Sequence, residues 1–586
     1  MRSGFGKVAK IFFLLFLFCF PKKVLAISAV YDNPGQGIFQ CHANNAVGKD
    51  YLKGGSVIVR WDKLQPIDND HIDTSALNAL VNAIKSGKKE YLHFQIYGSA
   101  GCTEGSPGCD NHPLPDWLNI YDNNSANDQI GIIDDYAGKT PQPWDSRYQQ
   151  KLSRFLTLLN QALESKNVDP YIEYLEPAVG GHWGATDLWM NENELKKWAI
   201  AAGCAETDWS CLGRKYNEGV NKVVEIYATA FPDYALMIIG GGCRYSACSF
   251  NSLSIISRYG MRIMYKAASL GSMTDGTCGL RPYLADYCSY KPTMIKCGME
   301  PYGGTGFGPG CAYDDVYKTS LRTERISYYC LYQDDIRLQS RQSTNQFVAD
   351  HVGAQITLLS TSVDSPEKKV GDTLTITARW SNSGSASLAV PVKQVEKWPA
   401  GSYKLFLEFE KNGEIALYRE LNITPPTQSW APNGGEANTS HNFVIPNSLG
   451  GGNSTSRNTY KVFIGLTDPN GEKKRFALRN TTNNDLANRR YLLAESFTVI
   501  GSGSGPTETP TPGSCVCQGE ADPHSNIKLK SQGNANCDNA VDIRDYDLWL
   551  SQFHSSLDPD KMKCADFSGD RKVDGIDFEY WRRNKT

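Results

Sequence analysis

Between residues 50 and 350 short apolar runs alternate with stretches of helical periodicity. Ser56-Val57-Ile58-Val59-Arg60-Trp61, bounded by Gly55 and Pro66, reads as a strand. Ser75 to Ser86 follows with Leu77, Leu80, Val81 and Ile84 on one helical face, and Tyr91 to Tyr97 is strand-like again. The rhythm recurs. Residues 148–163, 191–201 and 217–229 read as helices; 170–179, 234–239, 260–265, 292–297 and 326–331 read as extended. Roughly eight strands with intervening helices over ~320 residues predict a (β/α)8 TIM barrel.

Beyond residue 350 the period shifts to two. Residues 356–359, 373–378 and 403–409 alternate as strands, and Asn412-Gly413 and Asn470-Gly471 mark hairpin turns, because Asn-Gly accepts the positive φ angles of a type I′ turn. Short strands at this spacing predict an all-β immunoglobulin-like sandwich. Residues 501–514 read GSGSGPTETPTPGS, a Gly/Ser/Thr/Pro linker. The chain is thus multidomain: a barrel over 27–350, a sandwich over 351–500, and a small C-terminal unit over 515–586.

The N-terminus changes the compartment. Arg2, Lys7 and Lys10 precede an apolar run from Ile11 to Phe20, and Val24-Leu25-Ala26 offers a cleavage site, so residues 1–26 read as a signal peptide. Ten apolar residues rise only about 15 Å as a helix, too little for a bilayer core. Lys22 and Lys23 beside the site leave an uncleaved anchor as the rival, the sole route to a membrane. A secreted, extracellular or cell-surface location follows. Of 17 cysteines only Cys19 falls in the leader, leaving an even number. The pairs Cys102/Cys109, Cys204/Cys211, Cys243/Cys248, Cys278/Cys288 and Cys297/Cys311 read as local disulfide staples of an oxidising compartment. No C-x-x-C and no H-E-x-x-H occurs, which disfavours zinc.

A net charge of -3 gives no reason to invoke a nucleic-acid partner. Other chemistries lack their motifs. Ala137-Gly138-Lys139-Thr140 imitates the end of a P-loop, but Ile133 stands where its first glycine belongs, and no G-x-S-x-G elbow exists.

In a barrel the chemistry belongs at the C-terminal strand ends. Those ends carry Arg60-Trp61-Asp62, the Pro115-Asp116-Trp117-Leu118 loop, Glu173 and Glu176 before Pro177, Gly181-His182-Trp183-Gly184, Arg244, and Glu300-Pro301-Tyr302. A carboxylate beside aromatic rings suits glycosidic bonds. One carboxylic acid protonates the leaving oxygen while a second carboxylate attacks or activates water. Trp61, Trp117, Trp144, Trp183 and Trp189 offer faces for sugar C–H surfaces. His93, Arg60 and Arg244 either bind hydroxyls or pair with charges inside the barrel.

With these residues in place, the barrel resembles the glycosidase clan whose acid and nucleophile follow the fourth and seventh strands, including the β-galactosidases of family 42. VIVRWDKLQP is similar to that family's opening strand, and Pro115 to Leu118 to its early loop. It also resembles bacterial glycosidase-like barrels followed directly by a β-sandwich, with Trp380-Ser381-Asn382-Ser383-Gly384 as the matching sandwich segment. The resemblance implies that Glu300 is the nucleophile. Relatives carry G-x-W-G-E where this chain has Gly181 to Ala185, so the usual acid is replaced by Ala185. Glu176 is then the expected acid and Glu173 the reserve, with Asp187 and His182 further candidates; Trp183, Tyr302 and the residues named above would bind substrate. The sandwich is either a spacer packed on the barrel or a carbohydrate-binding unit.

The tail carries the most specific spacing. Asn534, Asn536, Asp538, Asp542 and Asp545 stand at positions 1, 3, 5, 9 and 12 of a calcium loop, and Asp566, Ser568, Asp570, Asp574 and Asp577 repeat it. Each loop runs into a helix start, at Tyr546 and at Phe578. The pair resembles a dockerin, a small α-helical calcium-loop module, which implies structural Ca²⁺ and a cohesin-type or cell-surface protein partner. Position 6 is Asn539 and Arg571 instead of Gly, so the second loop departs further from the pattern. Cys537 and Cys564 flank the loops. An acidic turn-rich tail without metal is the bland reading.

Two functions follow. One is a secreted glycoside hydrolase acting on a poly- or oligosaccharide, with Ca²⁺ only in the tail and no catalytic cofactor. The other is a non-catalytic carbohydrate-binding or assembly protein on a degenerate barrel, which Ala185 favours.

Overall fold

The structure is a computed structural model. It describes residues 33, 35–40, 49, 51–86, 89–95, 114–118, 130–135, 138–179, 192–240, 253–270, 297–301, 321, 325–331, 336, 339–394, 397–451, 455–470, 474–501, 578 and 582. The chain divides into two units, one of residues 1–451 and 457–500, the other of residues 452–456 and 501–586. The signal segment and the calcium-loop positions lie outside the described residues; Phe578 and Arg582 are helical.

Eight parallel strands build the first half: β1 (Gly37–Gln40), β2 (Leu52–Arg60), β3 (Lys89–Gln95), β4 (Ile172–Glu176), β5 (Leu236–Gly240), β6 (Ile263–Leu270), β7 (Cys297–Pro301) and β8 (Ile326–Leu331). They pair in chain order, and β1 joins β8 to complete a barrel. The seam between β4 and β5 is the thinnest, with Leu175 and Leu236 its one registered pair.

Alternation along each strand makes two cores. Val57 and Val59 of β2 face outward and share a cluster with Leu77, Leu80, Val81 and Ile84 of α1 (Thr74–Ser86). The barrel interior is a separate layer of Phe39, Tyr91, Tyr174, Met237, Met264, Tyr328 and Cys330. There Tyr91 stacks on Tyr174 at 4.9 Å, and Phe39 meets both edge-on. Such rings fill the barrel axis and leave the strand ends as the place for polar groups.

Among the described residues, four more helices follow before the last barrel strand. α2 (Ser146–Glu164) starts where Asp145 accepts from the Arg147 and Tyr148 amides, and it buries Leu152, Phe155, Leu156, Leu159 and Leu163. α3 (Glu192–Ala201) precedes α4 (Trp209–Ala230), which Asp208 caps through the Cys211 amide. The expected Cys204–Cys211 disulfide closes the turn between them. α5 is Leu253–Tyr259. The other expected cysteine pairs involve residues outside those described.

The sequence reading misses one strand. The run at Ser56 is the second strand, since β1 precedes it, and Trp61 begins a helical turn, Trp61–Leu64. With β1 counted, the strand of Glu176 is the fourth and that of Glu300 the seventh, the places the sequence reading gives them. α4 also begins eight residues before the expected helix, because the cap at Asp208 sets its start. Of the run expected over 292–297 only Cys297 is described, and it lies in β7; residues 292–296 lie outside the described residues.

After α6 (Gln342–His351) come two sheets around one core. β9 (Ile356–Val363), β10 (Thr373–Asn382) and β13 (Gly435–Val444) form one sheet. The other runs β15 (Arg490–Ile500), β14 (Arg457–Thr467), β11 (Lys404–Lys411) and β12 (Glu414–Leu421). Asn412 and Gly413 turn β11 into β12 with φ of 56° and 85°, the two positive values a type I′ hairpin needs. Gly471 lies outside the described residues.

The sandwich is fastened to the barrel at several points. The side chain of Asn33 both donates to the carbonyl and accepts from the amide of Ala477, and Gln36 does the same with Ala354. Trp398 makes a parallel bridge to Gly260 beside β6. These backbone-directed bonds fix orientation, so the sandwich is an integral wall of this unit and not a tethered appendage.

Candidate active site at the barrel mouth

Register brings together the residues that the sequence leaves scattered. His93 of β3 pairs across the ladder with Glu176 of β4, and Lys266 of β6 lies level with Ile239 of β5 and Gly298 of β7. All three side chains turn toward one another. His93 Nδ1 is 2.7 Å from Glu176 Oε1, and Lys266 Nζ is 2.7 Å from Oε2. The side chains of His93, Glu176 and Lys266 are 4%, 0% and 1% exposed. Directly beneath, burial pushes the Tyr174 phenol far up, with the charges of Tyr91 and Glu176 adding to the effect.

Arg60, the last residue of β2, also lies at a C-terminal strand end. Its guanidinium grips Asp62 through Nε and Nη2 at 2.9 and 2.8 Å, a bidentate pair that aims both groups. A groove of about 660 Å³ opens beside Arg60 and Asp62, lined also by Ile58, Ala76, Ala79 and Ala83. On the sandwich a second groove, of about 390 Å³, is lined by Glu410, Arg475, Asn488, Arg489 and Arg490.

Glu300 is the penultimate residue of β7, two positions beyond Gly298. Its backbone is described and its side chain is not. His182, Trp183, Ala185, Asp187, Trp189, Arg244 and Tyr302 lie outside the described residues.

Several expectations need correction. Glu173 does not join the mouth. It sits near the start of β4, where Lys53 Nζ (3.0 Å), the Gly35 amide (2.9 Å) and Tyr328 Oη (3.3 Å) surround its Oε1. Burial works to raise its pKa, but the charge and hydrogen bond of Lys53, then Lys89 and the Gly35 amide, outweigh it and hold the carboxyl below its ordinary value. It is a structural anchor of the opposite end.

Nor is Trp61 a sugar platform. It is 1% exposed, stacked on Phe155 at 4.8 Å, with the edge of Trp117 at 6.0 Å. Trp117 donates its indole N–H to the Gln65 carbonyl and carries Lys151 at 4.9 Å over its ring, while Trp144 packs edge-on against Trp198. These rings belong to the layer between strands and helices. Aromatic count alone does not reveal which core a ring joins.

Lys266 and Lys53 are missed by sequence reasoning altogether. A signal existed for the first: Ile263-Met264-Tyr265-Lys266-Ala267 places one cation inside an apolar strand, where only a buried partner makes it tolerable.

No protein-family model matches this sequence, and no curated protein matches it. Solved structures with partial likeness include the exo-β-1,4-mannosidase Op5Man5 from Opitutaceae bacterium strain TAV5. It is 10% identical over 56% of this chain and 58% of its own, with a TM-score of 0.31. The cold-adapted β-galactosidase from Rahnella sp. R3 is 10% identical over 52% and 51%, TM-score 0.31. A family 39 glycoside hydrolase from the gut symbiont Bacteroides cellulosilyticus WH2 is 10% identical over 70% and 81%, TM-score 0.29. The chain thus spans little more than half the length of the first two.

Proposed function

We propose that this chain is a secreted glycoside hydrolase whose barrel cleaves O-glycosidic bonds of a poly- or oligosaccharide with two carboxylates. One observation carries the reading. Glu176 closes β4 at the barrel mouth, buried between His93 and Lys266, and Glu300 stands one residue from the end of β7. In a parallel barrel both positions belong to the same mouth, where substrates bind. A glycosidic bond needs two carboxyl groups on either side of the sugar, and glutamates on the fourth and seventh strands supply them. Arg60 and Asp62 contribute polar groups for hydroxyls; Trp183, His182, Arg244 and Tyr302, which lie outside the described residues, are the further substrate-binding candidates of the sequence.

The remaining parts serve delivery. The leader exports the chain. Asn534, Asn536, Asp538, Asp542 and Asp545, with Asp566, Ser568, Asp570, Asp574 and Asp577, would hold two Ca²⁺ ions through hard oxygens and dock the enzyme to a cohesin-type or surface partner. Adding Ca²⁺ to the full, metal-stripped chain should protect residues 515–586 from proteolysis, and Asp545→Ala with Asp577→Ala should abolish that protection. A tail cut equally fast with and without Ca²⁺ removes the dockerin reading.

Hydrolysis of a panel of aryl glycosides tests the enzyme, with Glu300→Gln and Glu176→Gln as controls. A second reading, a saccharide-binding barrel without turnover, is favoured by Ala185 and by the pairing of Glu176 with a lysine. It predicts retention of the chain on polysaccharide with no sugar released.

A further inference from the structure

We infer that Lys266 is a positioning residue which, with His93, keeps Glu176 an ionised carboxylate, so that Glu176 is the fixed negative charge of the barrel mouth and not its proton donor. The role of that charge rests on the proposed hydrolysis; the charge state does not. The sequence alone suggests the opposite role, an acid at Glu176.

The argument is geometric. Three strands deliver three ionisable groups to one spot, and each side chain is at most 4% exposed. Opposite charge at hydrogen-bond distance favours the ionised form of a carboxyl, and each oxygen of Glu176 has a donor beside it. Oε2 faces the ammonium of Lys266 at 2.7 Å, which offers donors only. Oε1 faces His93 Nδ1 at 2.7 Å, and an imidazole nitrogen is a stronger base than a carboxylate, so the shared proton resides on the ring. Both oxygens therefore accept charge-assisted bonds.

The described groups around them agree. On β4 itself Tyr174 is a neutral phenol, stacked on Tyr91 of β3. Tyr328 of β8 meets the edge of Tyr174 at 5.3 Å. Arg60 of β2 has Asp62 as its partner. On β7 the side chain of Glu300 is not described.

A buried ion pair is a poor stabiliser, since desolvation offsets most of its attraction, whereas loss of one partner strands the other. Lys266 therefore contributes little net stability and a great deal of definition to Glu176. An anion held dry and oriented at the mouth favours positive charge, such as the oxocarbenium-like ring carbon that develops when a glycosidic bond breaks. Within the proposed two-carboxylate mechanism the proton for the leaving oxygen then comes from Glu300, so the roles that the resemblance implies for the two glutamates are exchanged.

Infrared difference spectroscopy of the full chain reads this directly, between about pH 6 and 9, where a solvent-exposed carboxylate stays ionised. Wild type minus Glu176→Gln should show the loss of an ionised carboxylate signal and no protonated carboxyl band. Lys266→Met should create a protonated carboxyl band that Glu176→Gln/Lys266→Met lacks, and Lys266→Arg should leave the spectrum as in wild type. A protonated band assigned to Glu176 in wild type at neutral pH overturns the inference, as does a Lys266→Met protein without one. If Lys266→Met does not fold, the wild-type and Glu176→Gln pair decides alone. Inactivity on every glycoside would sink the hydrolase reading and leave these spectra unaffected.

Discussion

The ammonium of Lys53 lies 3.0 Å from Oε1 of Glu173, and the two side chains are only 5% and 10% exposed. Lys53 also donates to the carbonyls of Asn33 and Gln36, whose own side chains grip the sandwich at Ala477 and Ala354. One ion pair thus ties the barrel end opposite the mouth to the segment before β1 that grips the sandwich.

Lys53→Met should leave Glu173 as an uncompensated buried charge, at a cost of about 3–5 kcal/mol. Glu173 has a folded pKa below its ordinary 4.5, so its contribution is present above that value and is lost as pH falls further. Denaturant unfolding at several pH values checks both points. A variant as stable as wild type at neutral pH would show that the pair is dispensable.

Glu90 has the opposite sign. Burial raises its pKa from 4.5 to about 7, against the lowering effect of the Gly55 amide. The folded state holds the proton more tightly than the unfolded chain, so stability falls as pH rises from 4.5 to about 7 and the cost persists above. Glu90→Gln keeps an acceptor for the Gly55 amide and should stabilise the protein at pH 8 by about 1–3 kcal/mol. Thermal unfolding against pH is the measurement; an unchanged curve would contradict the assignment.

Gly384 marks the junction of the two domains. A Cβ there would stand 2.1 Å from the Gly353 carbonyl oxygen and 2.6 Å from the Gln355 amide nitrogen. Both are backbone atoms and cannot rotate away, so Gly384→Ala should destabilise by about 1–3 kcal/mol or more. Unfolding at wild-type denaturant concentration would mean that the junction yields easily.

Trp61→Ala should cost about 3–5 kcal/mol as a core truncation, because the ring fills the space between Phe155 and Trp117. Selective loss of saccharide binding at full stability would return Trp61 to the sugar site.

What the sequence made legible follows its periodicities. Leu77, Leu80, Val81 and Ile84 announce α1, the alternation of 373–378 announces β10, and Asn412-Gly413 announces its hairpin, since each signal is local. β1 went unseen because Gly-Ile-Phe-Gln is four residues long, too short for any period to declare itself. The site was half legible. His93, Glu173 and Glu176 stand out in the sequence, yet nothing local says that His93 stands level with Glu176 or that Lys53 claims Glu173. Partnerships across strands are set by register, and register is a property of the folded sheet.

The two-carboxylate claim is tested most directly by the rate of aryl-glycoside hydrolysis in wild type, Glu300→Gln and Glu176→Gln. The account predicts turnover of at least one glycoside by the wild type and a loss of at least about a hundredfold in each variant. Wild-type rates in either variant, or no turnover of any glycoside by the wild type, would contradict it.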